Sequence, residues 1–186
     1  VAFDGTNWRL YALGVKSGVT NAEVLQMAFS AFGGNTWTAL DTNNQSTNTF
    51  TWFELFVYYK KASATNGLIY GGRGTSATAG SAIWAYDPSA SGGAAFAESA
   101  LSITFAKLAQ GLVHSKDDKL YIPYDNKIAS KDGTSAFTAV ALTLPSHLYI
   151  TSIAEYGNWL AIACAPLSGV GNSRVFLWDR NETTTI

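Results

Sequence analysis

Short apolar runs separated by polar turns repeat along the whole chain, and they predict an all-β fold. The runs are four to nine residues long, rich in aromatic and branched side chains, and bounded by Gly, Asn, Asp or Ser. This pattern is typical of β-strands joined by tight turns. The predicted strands cover 8–15, 23–30, 37–40, 52–60, 68–71, 82–87, 96–103, 107–114, 119–124, 127–130, 137–144, 149–155, 159–165 and 174–179.

Two of these predicted strands contain residues that allow a second interpretation. The apolar residues between Val24 and Ala28 also fit a short helix, but the segment is short and a turn follows it, so we favour a strand. Pro123 has no backbone N–H, which favours an edge or bulge position for strand 119–124.

An eight-residue frame occurs three times between predicted strands. It has a serine, one or two central glycines, and an aromatic residue seven positions after the serine. Glycine suits a turn with positive φ, so we expect three equivalent hairpin turns, each with its last aromatic side chain buried. The frame residues are Ser30, Gly33, Gly34 and Trp37 in the first copy, Ser89, Gly92, Gly93 and Phe96 in the second, and Ser130, Asp132, Gly133 and Phe137 in the third.

The frame resembles the Asp-box of β-propeller proteins, S-x-D-x-G-x-x-W, which occurs in sialidases and in many non-enzymatic propellers. In that family the box forms the turn between the third and fourth strands of a blade. The third copy has the aspartate, Asp132, with its glycine one place early at Gly133, whereas Phe32 and Ser91 stand at the aspartate position of the other copies. The resemblance implies an array of about four antiparallel, four-stranded blades.

Four repeat units follow from the turns and from a leucine early in each second strand, and we place the blades at approximately 1–45, 51–104, 105–145 and 146–186. The first unit has no clear first strand and the fourth unit has no fourth strand. We therefore expect a single propeller segment that is an arc of a larger ring, completed by further sequence or by a neighbouring chain. Because the chain starts with Val1, we expect a processed product or part of a longer protein. A closed four-bladed ring and a β-sandwich are the alternatives.

Composition narrows the functional classes. The net charge is −1 and only 13% of residues are charged, so the chain has no electrostatic footprint for nucleic acid and no basic face for a membrane. The one cysteine, Cys164, allows no intrachain disulfide, and its apolar neighbours predict a buried small side chain.

The residues with possible chemistry do not form a recognisable site in the sequence. We expect structural roles for the two histidines, solvated turn positions for four clustered aspartates, and no phosphate-binding loop at the glycine-rich segment 71–74. The histidines are His114 and His147, and the aspartates are Asp117, Asp118, Asp125 and Asp132.

Sialidase chemistry is the activity that the Asp-box raises. That family uses three arginines on the substrate carboxylate, a tyrosine nucleophile with a glutamate, and an aspartate as acid/base. This chain has no Arg-Ile-Pro motif near its start and no identifiable carboxylate pair. We expect no enzyme activity, no catalytic residue, no metal and no cofactor. The arginines are Arg9, Arg73, Arg174 and Arg180.

These observations predict a non-enzymatic structural or interaction module. The Thr, Ser, Ala, Gly and Asn-rich texture resembles virion and tail-associated proteins of bacteriophages, which implies protein partners in a particle and a virion or extracellular location. The alternative is a glycan-binding propeller domain, although we expect most aromatic side chains to lie in the core. The candidate stacking residues are Trp8, Trp52, Tyr58, Tyr59, Trp84, Trp159 and Trp178.

Overall fold

The computed structural model describes residues 1–15, 25–30, 38–39, 52–74, 82–90 and 96–181, and these ranges form four antiparallel sheets without a helix. The all-β fold class is therefore confirmed. Sheet I contains β1 (Ala2–Phe3), β2 (Trp8–Val15), β3 (Leu25–Ser30) and β4 (Thr38–Ala39). Sheet II contains β5 (Trp52–Tyr59), β6 (Leu68–Gly74), β7 (Ala82–Tyr86) and β8 (Phe96–Ser102).

Sheets III and IV follow in the second half of the chain. Sheet III contains β9 (Leu112–His114), β10 (Lys119–Tyr124), β11 (Lys127–Lys131) and β12 (Thr138–Thr143). Sheet IV contains β13 (Leu148–Tyr156), β14 (Trp159–Pro166) and β15 (Arg174–Trp178). In every sheet the strands are neighbours in chain order, so each sheet is a simple meander of hairpins.

The first sheet has a first strand that the sequence did not predict. Ala2 and Phe3 pair with Arg9 and Trp8 across a tight turn, in which the Asp4 carboxylate accepts the N–H groups of Thr6 and Asn7. Two residues are too few to give a periodic pattern, which is why the strand escaped prediction. Segment 25–30 is a strand and not a helix, as favoured above.

Two further expectations need correction. Only Leu112–His114 of the predicted strand 107–114 is a strand, and an isolated bridge joins Leu108 to Tyr124. Pro123 lies in an interior strand, since β10 pairs with β9 on one side and with β11 on the other. The proline is tolerated there because β9 pairs only with 119–121 and the segment beside residue 123 needs only a carbonyl, since the Ala109 N–H donates to the Pro123 carbonyl at 3.1 Å.

The chain divides into two compact units, one made of 1–54 and 58–104 and the other of 55–57 and 105–186. In the second unit, one face of sheet III packs against one face of sheet IV. Strand β14 shows the alternation behind this packing, because Leu160, Ile162 and Cys164 point into the core while Ala161 and Ala163 point away from it. The buried residues of this core are Tyr121, Ile128, Ala141, Leu142, Leu144, Leu148, Ile150, Leu160, Ile162, Cys164 and Trp178.

Each eight-residue frame falls between the third and fourth strands of a sheet. The third copy is the clearest: Ser130 pairs with Thr138, Gly133 has a φ of 57°, and the Ser135 N–H bonds to the Asp132 carbonyl at 3.1 Å. The positive φ predicted for a frame glycine is thus confirmed at Gly133.

The burial expected for the last aromatic of the frame is wrong at Phe137. Phe137 is only partly buried, and the Lys131 ammonium lies 5.0 Å from its ring centroid. In the other copies, Ser30 ends β3, Ser89 follows β7 and Phe96 begins β8. Gly33, Gly34, Trp37, Gly92 and Gly93, and the side chain of Phe96, lie outside the described residues.

Replacing Leu160 with alanine should lower the free energy of unfolding by about 2–5 kcal/mol, because the side chain is fully buried between the two sheets. The matched control is Leu177→Ala, the same change on the exposed side of sheet IV, which should cost about 0.5 kcal/mol or less. Urea unfolding followed by fluorescence measures both. Equal losses in the two variants would contradict the packing described here.

Candidate interaction surface

One side of sheet IV is apolar and exposed. Strand β15 alternates, so Phe176 and Trp178 point into the core while Val175 and Leu177 point outward, with exposures of 70% and 50%. Val175 pairs with Ala163, and Leu177 pairs with Ala161. The exposed aromatic pair Tyr156 and Trp159 closes one end of this side. We call these residues the open face: Tyr156, Trp159, Ala161, Ala163, Val175 and Leu177.

The equivalent side of an equivalent strand is fully covered. Residues 83–87 and 175–179 have matching patterns, each a strand of large apolar residues that ends in an aspartate. Ile83 and Ala85, at the positions of Val175 and Leu177, are both buried. The outward side of β15 is therefore as apolar as the buried side of β7, but its side chains are exposed.

The sequence reasoning missed the open face. A run such as Val-Phe-Leu-Trp is apolar on both sides, which is the pattern of a strand buried on both faces. The pattern gives the direction of each side chain, but it does not say which neighbour covers it. The match between residues 83–87 and 175–179 was the available signal, and burial in the structure is what separates the two strands.

Polar contacts fasten the end of β15 to the turn between β9 and β10. The Arg180 Nη1 lies 2.5 Å and 2.6 Å from the two ring nitrogens of His114, and its Nε lies 3.5 Å from Asp117 Oδ2. The Tyr121 hydroxyl donates to the same carboxylate oxygen at 2.6 Å. We call His114, Asp117, Tyr121 and Arg180 the anchor cluster.

Asp117 is not the solvated turn residue that the sequence predicted. Its Oδ1 is buried without a hydrogen-bond partner and lies 3.6 Å from His114 Nδ1. Burial, followed by the hydrogen bond to Asp117, raises the pKa of Tyr121 far above its ordinary value. The phenol therefore stays protonated and remains a donor to the carboxylate. The partner that makes this site, Arg180, is 63 positions away (180 − 117) in the sequence.

The anchor cluster lacks the geometry of a catalytic triad. His114 is fully buried, its Nδ1 accepts the Lys116 N–H at 3.2 Å, and its Nε2 lies 3.4 Å from the Trp159 carbonyl. The Ser115 hydroxyl donates to Glu155 and not to the histidine. Hydrogen bonds from the Ser115 hydroxyl and the Ser115 N–H lower the pKa of Glu155. Ser115 therefore bonds to a carboxylate at the surface and forms no nucleophile–base pair with His114.

The first unit has an exposed aromatic group of its own. Trp8 is 54% exposed, and its ring centroid lies 5.6 Å from that of Phe3 and 5.8 Å from that of Tyr58. The Arg9 Nε donates to Asp4 Oδ2 at 2.8 Å in the same hairpin. The expectation was that most of the candidate stacking aromatics lie in the core. Their burial in the structure is mixed: Tyr59, Trp84 and Trp178 are buried, Tyr58 is partly buried, Trp8 and Trp159 are exposed, and the side chain of Trp52 lies outside the described residues.

The other candidate residues occupy separate turns and strands. Asp118 and Asp125 have φ values of 51° and 46°, and the Asp125 carboxylate accepts the N–H groups of Ala106 and Lys107. His147 is exposed, and residues 71–74 continue strand β6. In the described ranges no group of three His, Cys, Asp or Glu residues is placed to hold a metal ion, and no helix is long and apolar enough to cross a membrane.

Replacing Arg180 with methionine should lower the free energy of unfolding by about 1–3 kcal/mol, because Asp117 and His114 lose a partner in a partly buried site. The control is Arg174→Met, in the same strand region, where the arginine is exposed and a change of about 0.5 kcal/mol or less is expected. Urea unfolding at neutral pH measures both. A loss at position 174 as large as that at 180 would contradict an anchoring role.

A scan against protein-family models found no match. Searches of curated proteins and of solved structures found no similar protein either.

Proposed function

We propose that this chain is a non-enzymatic structural module of the β-propeller type, which docks onto a protein partner through the open face of sheet IV. The observation that carries the proposal is the contrast between two equivalent strands. Ile83 and Ala85 are buried in sheet II, whereas Val175 and Leu177 are exposed in sheet IV. A partner that presents a complementary apolar surface would restore the missing cover.

The hydrophobic effect favours such a complex. Burying an exposed aliphatic or aromatic side chain contributes about 1.5–3 kcal/mol, and the open face presents four of them, Tyr156, Trp159, Val175 and Leu177. Contiguous exposed apolar patches commonly mark protein-binding surfaces. None of the six residues of the open face is charged, which favours a partner that binds by apolar contact over an ionic ligand.

The propeller arrangement is part of the proposal. It is supported by the recurrence of the frame between the third and fourth strands of sheets I, II and III, and by the face-to-face packing of sheets III and IV. A ring or arc of such sheets covers each face with the next sheet. The composition resembles that of phage virion and tail proteins, so we place the module in a particle neck, tail or fibre, with a virion or extracellular location.

The purified chain should self-associate in a concentration-dependent way, because the open face has no cover. Val175→Lys should shift the population towards monomer, since a charge in an apolar contact is poorly tolerated. Val170→Lys is the control, because Val170 is also an exposed valine but lies in the loop after β14. Size exclusion with light scattering measures the mass. A wild-type chain that stays monomeric at all concentrations would argue against docking through this face.

A second candidate function, glycan binding, is favoured by the surroundings of Trp8. An indole that is 54% exposed and packs against the rings of Phe3 and Tyr58 offers an apolar platform for a sugar ring. The Lys60 ammonium, 5.6 Å from the Phe3 centroid, adds a donor near the same aromatic group. This site belongs to the first unit and is independent of the open face.

If Trp8 binds glycans, the wild-type chain should give a specific signal on a glycan array, and Trp8→Ala should abolish it. Trp159→Ala is the control, because Trp159 is exposed to a similar degree but belongs to the open face. Circular dichroism checks that each variant is folded. An array without signal for the wild-type chain, or a signal that survives Trp8→Ala, would reject this second function.

A further inference from the structure

His114 is fully buried at the end of β9, and its ring meets two hydrogen-bond donors. The Lys116 N–H lies 3.2 Å from Nδ1, and the Arg180 Nη1 lies 2.5 Å and 2.6 Å from the two ring nitrogens. A neutral imidazole has one nitrogen that can accept a hydrogen bond, whereas an imidazolium has none. The contact with the guanidinium therefore belongs to the neutral form of the ring.

The carboxylate beside this ring uses its two oxygens unequally. Asp117 Oδ2 has two partners, the Tyr121 hydroxyl at 2.6 Å and the Arg180 Nε at 3.5 Å. Asp117 Oδ1 is buried and has no hydrogen-bond partner among the described residues, although it lies 3.6 Å from His114 Nδ1. A buried acceptor without a donor lowers the stability of the fold. A proton on Nδ1 would supply that donor after a small rotation of the ring.

Protonation of the ring would place two cations beside one available carboxylate. The other charged side chains around His114 are Lys116, Lys119 and Glu155. The first is exposed, the second has its ammonium 3.7 Å from Asp132, and the third accepts two hydrogen bonds from Ser115. Glu155 attracts a charged ring, but its hydrogen bonds go to Ser115, which leaves Asp117 as the carboxylate within reach. The imidazolium and the Arg180 guanidinium would therefore repel each other and compete for Asp117.

We propose that His114 is a proton switch that exchanges the partner of Asp117. With a neutral ring, Arg180 is held between the ring and Asp117. When the ring takes up a proton from solvent, it no longer accepts from Arg180, and it donates through Nδ1 to Asp117 Oδ1. Arg180 is the group that leaves, because His114 is fixed within β9 whereas Arg180 lies in the segment after β15. Trp178 stays in the core, with its ring centroid 5.7 Å from that of Tyr121, so the release is confined to the residues after β15.

Nuclear magnetic resonance of the full chain tests the switch in a titration from about pH 8 to about pH 5, the range in which histidine side chains ordinarily change charge. The carbon-bound ring protons of His114 and His147 report the protonation of each ring. As His114 becomes charged, we expect the Arg180 Nε–H signal to move to the position of a solvent-exposed arginine, and the backbone amides of 179–181 to shift with the same midpoint. His147 is exposed and serves as the internal control, because its titration should leave Arg180 unaffected.

Two variants separate the ring proton from other effects of acid. His114→Gln keeps a hydrogen-bond acceptor and stays uncharged, so Arg180 should remain bound throughout the titration. The matched control, His147→Gln, should behave like the wild-type chain. The wild-type titration decides the question even if the His114→Gln chain does not fold.

Three outcomes would overturn the switch. They are a His114 ring that stays neutral until the chain unfolds, an Arg180 signal that does not follow the titration of His114, and the same response in His114→Gln as in the wild-type chain. The switch needs no partner, so it goes beyond the proposed function and can fail separately from it. Val175→Lys, which tests the open face through the mass of the chain in solution, should leave this titration unchanged.

Discussion

A β-strand cannot point all its side chains to one side, and this constraint governs the second unit. Leu160 and Ile162 are fully buried against sheet III, so the residues between them necessarily face the other way. The same alternation in β15 places Phe176 and Trp178 in the core and Val175 and Leu177 outside. Because one side of sheet IV packs on sheet III, the residues on its other side form the open face. A shift of the strand register by one residue would turn the residues of the open face inward and the core residues outward.

The polar contacts have a different role from the apolar core. They fix how the strands and turns of the two sheets are aligned, and they add less to the free energy of folding. Buried charged groups gain little net free energy, but an unpaired one is costly. The anchor cluster joins β15 to the turn after β9, and the contact between Ser115 and Glu155 joins the β13–β14 hairpin to the same turn. At the opposite end, the Ile150 N–H donates to the Asp125 carbonyl at 2.7 Å. Polar contacts therefore join sheet IV to sheet III at both ends.

The sequence predicted most of the strands, because period-two alternation and turn residues are local signals. It failed where the deciding partner is remote or the element is too short. The pairing of Asp117 with Arg180 depends on two turns that meet only after sheets III and IV pack. Phe137 is only partly buried and the Lys131 ammonium lies against its ring, a contact that the spacing of the frame does not encode. Strand β1 has two residues and no pattern of its own. The sequence did not predict the open face either, because the burial of a strand side depends on which other elements pack against it and not on the residues of the strand alone.

The single thiol of this protein makes it a convenient subject for site-specific chemistry. Cys164 is buried in the core between sheets III and IV, and burial raises its pKa to about 11. The thiolate is the form that reacts with maleimides and disulfide reagents, and almost no thiolate is present near neutral pH, so Cys164 should react very slowly. A cysteine introduced at an exposed position would then react alone, without first removing the native one. Spin labels, fluorophores or photocrosslinkers can therefore be attached to one chosen site at a time.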